Sequence, residues 1–209
     1  MKFWTVQHSD VARSILENHT YECDFSVTHP FEKYPNMKIV YPIVLKEYRE
    51  RNGVDSPGLI FGFSHLGRTE LRNYTHFYEF FCASGATAIG FKFWEPTYCL
   101  LELEIRDYID VTPIGYNDFV KLEIEANNEL ESIDIFNQTE EVPFYQQIAD
   151  IKEHFRRGKV IEDWVVQVHT HMISKDNIVG IYPMFDYRTG MTYRMDPSFE
   201  ELKNVLQLD

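Results

Sequence analysis

The sequence predicts an α+β fold: a single compact domain with a mixed or mostly antiparallel sheet flanked by short helices. Three observations predict it. The stretch "TYCLLELEIRDYIDV" alternates strongly, with Leu101, Leu103 and Ile105 facing one way and Glu102, Glu104 and Arg106 the other, the period of a half-solvated strand. Helix-like and strand-like segments interleave without the regular βαβ spacing of a parallel sheet. The 209 residues, 44% apolar and 25% charged, are enough for one buried core.

Taken in order, "KFWTVQ" reads as a short strand and "SDVARSILENHT" as a helix, with Ser9 as N-cap and Val11, Ile15 and Leu16 on one face. Residues 21–36 contain Pro30 and Pro35 and no clear period, so they read as a loop. "MKIVYPIVLKEYRERNG" reads as a helix with Pro42 as its candidate start and Gly53 at its end. "DSPG" is a turn and "LIFGFSHLG" a strand, whereas "RTELRNYTHFYEFFCASGA" fits helix and strand alike. In "GFKFWEP", Lys92 stands where it would guard a sheet edge.

Beyond the alternating strand, "GYNDFVKLEIEANN" predicts a short capped helix and "PFYQQIADIKEHFRRGK" a longer one. "DWVVQVHTHMIS" and "DNIVGIYPMF" predict two strands around a turn, and "DPSFEELKNVLQLD" a terminal helix with a Pro-Ser start. No repeat or low-complexity segment interrupts the series.

Charge is unevenly spread. The formal net charge is −13, and residues 102–141 hold twelve acids against only Arg106 and Lys121. Such a chain lacks the basic footprint that nucleic acid requires, so nucleic-acid binding is not expected. The acidity suits solubility or a basic protein partner. No run is apolar enough for a membrane span, and the opening "MKFWTVQHSD" lacks the core of a secretory signal. Cys23, Cys82 and Cys99 are odd in number and widely spaced. They read as buried thiols of a cytoplasmic protein.

Several clusters are candidates for chemistry. His169 and His171, two apart in a strand, point the same way and form half of a metal site. Since no HExxH, CxxC or nearby HxxE supplies a third ligand, the pair reads rather as edge or surface histidines on a solvated face. "PGLIFGFSHLGRTELRN" places Arg68 and Arg72 beside Phe61 and Phe63 in a glycine-rich setting. Arginines next to aromatics clamp anions or stacked bases, although the passage lacks the Lys and Ser/Thr of a P-loop. Cys82, in "FFCASGA", lacks the electropositive surround of a nucleophile.

The segments "KFWTVQHSDVARSILENHTY", "YPIVLKEYRERNG", "CLLELEIRDYIDVTPIGYNDFVKLEI" and "WVVQVHTHMISKDNIVGIY" occur in the order of the DUF3841 family of small bacterial and phage proteins. The chain resembles that family over about residues 1–182, most specifically at "FWTVQ" and the helix after it. Thr170 and His171 stand where the family carries an aromatic–Glu pair. The resemblance implies a compact cytosolic protein of phage or mobile-element type, and no activity. The opening "FWTVQHSDVARSILENH" also looks like the first strand and helix of ADP-ribosyltransferase-type folds. That likeness implies Gln7 or His8 near an NAD ribose, with Trp4 in the same ligand-binding cluster, Tyr74 or Tyr78 stacking, and Glu102 or Glu104 polarising a ribose hydroxyl.

Two expectations follow. The first is a non-catalytic interaction module with an acidic face and no cofactor. The alternative is an NAD-dependent or other nucleotide-binding enzyme, with a cleft formed by residues 4–8, 61–72 and a glutamate of the 102–104 strand.

Overall fold

The computed structural model describes residues 2–27, 37–66, 69–83, 96–105, 112–115, 165–185 and 191–208. The helices expected over 115–128 and 143–159 lie outside them, apart from Gly115, as do Lys92 and Arg68.

Nine strands and four α-helices make the described fold. Strand β1 (Lys2–His8) runs straight into α1 (Ser9–Asn18). After β2 (Thr20–Glu22) come α2 (Met37–Asn52), β3 (Ile60–Leu66), β4 (Thr69–Glu70) and α3 (Tyr74–Ala83). Then follow β5 (Tyr98–Glu104), β6 (Thr112–Gly115), β7 (Val165–Thr170), β8 (Met172–Ser174), β9 (Ile178–Pro183) and α4 (Pro197–Val205). The large sheet has the order β6-β7-β3-β1-β5-β9, with β4 on β3, and β2 and β8 form a second, two-stranded sheet. Every pairing is antiparallel, so the predicted α+β class holds.

Both faces of the large sheet are covered, and this determines where the candidate site lies. On one face, Phe3, Cys99, Leu101, Leu103 and Ile181 pack with Val11, Ala12 and Ile15 of α1 and Phe199 and Leu202 of α4. On the other, Trp4, Leu100 and Met184 pack with Leu71, Phe77 of α3 and Phe185. Each fully buried side chain of this size contributes about 1.5–3 kcal/mol. Strand β1 is central, in register with β5 along its whole length from Lys2↔Glu104 to His8↔Tyr98. Its approach to β3 requires Gly62, where a Cβ would lie 2.1 Å from the Trp4 carbonyl oxygen.

Several expectations are corrected. The N-cap of α1 is His8, whose Nδ1 accepts from the Asp10 amide at 3.3 Å. Ser9 is already helical and buried, its amide bound to the Thr97 carbonyl at 2.9 Å, because no loop separates strand from helix. The predicted loop at 21–36 begins as strand β2, which pairs with β8. Pro42 sits inside α2 rather than starting it. The buried stripe Val40, Tyr41, Val44, Leu45 and Tyr48 runs through the proline, and its burial offsets a ring that costs about 3 kcal/mol in a helix interior. The ambiguous segment 68–86 resolves, over its described residues, as strand β4 followed by a helix from Tyr74, with the Asn73 side chain accepting from the His76 amide at 3.0 Å.

The largest correction concerns "DWVVQVHTHMIS", which is not one strand. The chain bends at His171, so that β7 belongs to the large sheet and β8 to the small one.

Candidate functional site

The residues with chemistry gather on the α3 side of the sheet, where β1, β5 and β9 lie next to one another. Alternation along β1 sends Lys2 and Trp4 to the same side, opposite Glu102 of β5 (Trp4↔Glu102). Glu102 in turn pairs with Gly180 of β9. Glu102 was expected on a solvated face, yet it is only 4% exposed. The reason is that β5 is an inner strand with both faces covered, so alternation in its sequence separates two interiors rather than core from water.

A buried carboxylate needs partners, and among the described residues Glu102 has two. The Lys2 ammonium pairs with Oε1, and the Tyr182 hydroxyl donates to Oε2 at 2.8 Å. Burial, followed by the hydrogen bond and charge of Glu102, pushes the Tyr182 phenol up to about 12. At neutral pH it is therefore a donor and not a base. A β-carbon at Gly180 would lie 2.7 Å from the Tyr182 ring and 2.9 Å from Glu102 Oε2. Glycine there is what lets the two groups meet over the backbone.

Aromatic rings surround this cluster. Tyr74 of α3 stacks on Tyr182 with centroids 4.9 Å apart, and Trp4 lies 5.6 Å from Phe77 and 5.9 Å from Tyr182. The Trp4 indole donates to the Leu71 carbonyl, which ties β1 to the turn before α3. Such walls lower the local dielectric and strengthen any ion pair within them.

Trp4, Tyr74 and Glu102 are thus brought together. Gln7 is not: it alternates with Trp4, lies toward the other side and donates to Thr5 Oγ1 at 2.6 Å. His8 is at the far end of β1, capping α1 and lying edge-on to Tyr98 at 5.1 Å. Arg72 is exposed and bonded to Glu70 at 3.2 Å. Glu104 ends β5 in solvent. Lys2 and Tyr182 were missed by sequence reasoning. The signal for Lys2 was its two-residue spacing from Trp4. That for Tyr182 was hidden by a β-bulge on β9, where Ile178 and Gly180 pair with the adjacent Leu103 and Glu102 of β5, which shifts the alternation of β9.

The histidine pair is also corrected. His169 is 0% exposed, because β7 is an inner strand between β3 and β6. His171 does not share its face: at the bend, its Nδ1 lies 3.0 Å from the Tyr48 hydroxyl and its carbonyl oxygen accepts from the Cys23 amide at 3.5 Å. Among the described residues, no group of three or more His, Cys, Asp and Glu is placed to hold a metal.

Cys23 and Cys99 are free and buried. Burial pushes their thiols up to about 11 and about 12, away from the reactive range. Among the described residues, no helix is long and apolar enough to cross a membrane. No family model, curated protein or solved structure matches the chain.

Proposed function

We propose that the chain is a non-catalytic protein-interaction module that engages a basic partner. The observation carrying this reading is that Glu102, the acid inside the aromatic cluster, has both oxygens engaged, one by a cation and one by a neutral phenol. A carboxylate held this way is neutralised within the fold and presents no lone pair to a substrate, which proton transfer needs. The other candidates for acid–base work serve the fold: His8 caps a helix and Glu104 lies apart at a strand end. Twelve acids against two bases over residues 102–141 supply long-range attraction for such a partner. The DUF3841 likeness accords with this reading, as it brings a compact domain and no activity.

The test is fluorescence anisotropy of a labelled octa-lysine peptide titrated with the full chain at low and high salt, beside an octa-serine control. Binding of octa-lysine alone, weakened by salt, is the expected result. Equal binding of both peptides, or of neither, overturns the reading.

A second reading, a nucleotide-binding enzyme using NAD, draws on the meeting of Trp4, Tyr74 and Glu102 on one side of the sheet. A rise in Tm with NAD or ATP, lost in Tyr74→Ala, would favour it over the first.

A further inference from the structure

We propose that His8 is a proton-controlled cap on α1. With Nδ1 bare it accepts from the Asp10 amide; on protonation the same nitrogen donates to the Asp10 carboxylate and the cap is given up. The inference is independent of the interaction reading above.

One atom carries it. His8 Nδ1 lies 3.3 Å from the Asp10 amide nitrogen and 3.0 Å from Asp10 Oδ2. The amide is a donor and the carboxylate oxygen an acceptor, so a single ring nitrogen satisfies only one of them at a time. A bare lone pair serves the amide, and an N–H serves the carboxylate. Both partners are already within reach, so the ring passes from one to the other without leaving its place. The His8 side chain is 40% exposed, and water therefore supplies and removes the proton.

The surroundings give the exchange its consequence. Tyr98 of β5 lies edge-on to the imidazole at 5.1 Å and braces it. Asp10 is shared, its Oδ1 being paired with Arg13 one turn further along α1. Asp196, the cap of α4, also stands near: the Ser198 bonds foremost, then the positive charges of Arg13 and His8, hold its carboxyl below the usual range. The Ser198 hydroxyl meets the Ser9 carbonyl at 3.5 Å, so the starts of α1 and α4 adjoin. A proton on His8 removes the acceptor from the first turn of α1 and sets a positive charge at that helix's positive end. The carboxylates of Asp10 and Asp196 compensate the charge. Proton uptake thus exchanges a directional bond within α1 for attraction shared between α1 and α4. The Ser9 amide, held by the Thr97 carbonyl at 2.9 Å, confines the change to the first turn.

The experiment is a pH titration of the full chain by NMR, following the His8 ring nitrogens and the Asp10 and Ile15 amides, in the wild type and in His8→Asn, which keeps a capping acceptor but gains no proton. At high pH the wild-type Nδ1 should resonate as a bare acceptor. As the ring takes up its proton, protection of the Asp10 amide, corrected for the intrinsic pH dependence of exchange, should fall about fivefold, the worth of a lost cap. The Ile15 amide, inside the helix, should show no such step, and neither should Asp10 in His8→Asn. If His8→Asn fails to fold, the wild-type titration decides alone. An Nδ1 that keeps its hydrogen at high pH overturns the proposal, as does Asp10 protection that stays level while the ring titrates, or a step of equal size in His8→Asn.

Discussion

Tyr182 donates a 2.8 Å hydrogen bond to Glu102 across neighbouring strands β9 and β5, while Lys2 of β1 holds the other carboxylate oxygen. One buried charge thus ties three strands together. Removing only the hydroxyl, in Tyr182→Phe, keeps the stacking on Tyr74 and leaves Glu102 one donor short. A hydrogen bond to a charged group contributes about 1.5–3 kcal/mol, so Tyr182→Phe should lower stability by about that amount in urea unfolding, with an unchanged m-value.

The same phenol gives an alkaline signature. Its folded pKa, about 12, lies above the usual 10, so the folded state holds the proton more tightly than the unfolded state does. The associated stability is fully present below pH 10 and is lost as pH rises from 10 towards 12. Urea midpoints measured across that window should fall less steeply for Tyr182→Phe than for wild type. Parallel curves would show that the phenol does not titrate with unfolding.

Gly180→Ala tests the close approach. The added methyl would sit within 3 Å of both the Tyr182 ring and Glu102, and overpacking of this kind costs about 1–3 kcal/mol. Chemical denaturation should show that loss. Gly53→Ala should lose stability for a different reason, since nothing lies within 4 Å there and the strain comes from a φ of +67°.

Asp196 caps α4, its carboxylate accepting from the Ser198 amide at 2.9 Å and from the Ser198 hydroxyl. Those bonds, the hydroxyl's foremost, hold its carboxyl below the usual range. The capping contribution is therefore present above the unfolded carboxylate pKa near 3.9 and is lost as pH falls through the lower folded value. Asp196→Ala should cost about 0.5–2 kcal/mol at neutral pH, with the difference from wild type shrinking in strong acid, as followed by thermal unfolding.

Cys23 and Cys99 should resist Ellman's reagent at pH 8 in a Cys82→Ser background. With thiols pushed up to about 11 and about 12 by burial, the reaction should run about tenfold or more slower than in urea, where thiolate forms near the ordinary value of about 8.5. Equal rates would show that the core opens freely.

The sequence alone determined the elements whose apolar period is complete within the segment. The alternation of "CLLELE", the Val11–Ile15 face of α1 and the Pro-Ser start of α4 each predict the element found. Local sterics and local burial suffice for these, because neighbours along the chain determine which side is apolar. The absence of βαβ spacing pointed to a mixed or mostly antiparallel sheet, and the structure made every described pairing antiparallel. What the sequence could not reveal is which side of a strand meets water. Glu102 and His169 each read as solvated by alternation, yet both are buried because β5 and β7 are inner strands covered on both faces. The bulge on β9, the bend at His171 and the burial stripe that carries α2 through Pro42 are likewise products of packing between segments far apart in the chain. The Lys2–Glu102–Tyr182 cluster spans residues 80 and 100 positions apart, and only the tertiary fold brings them within hydrogen-bonding distance.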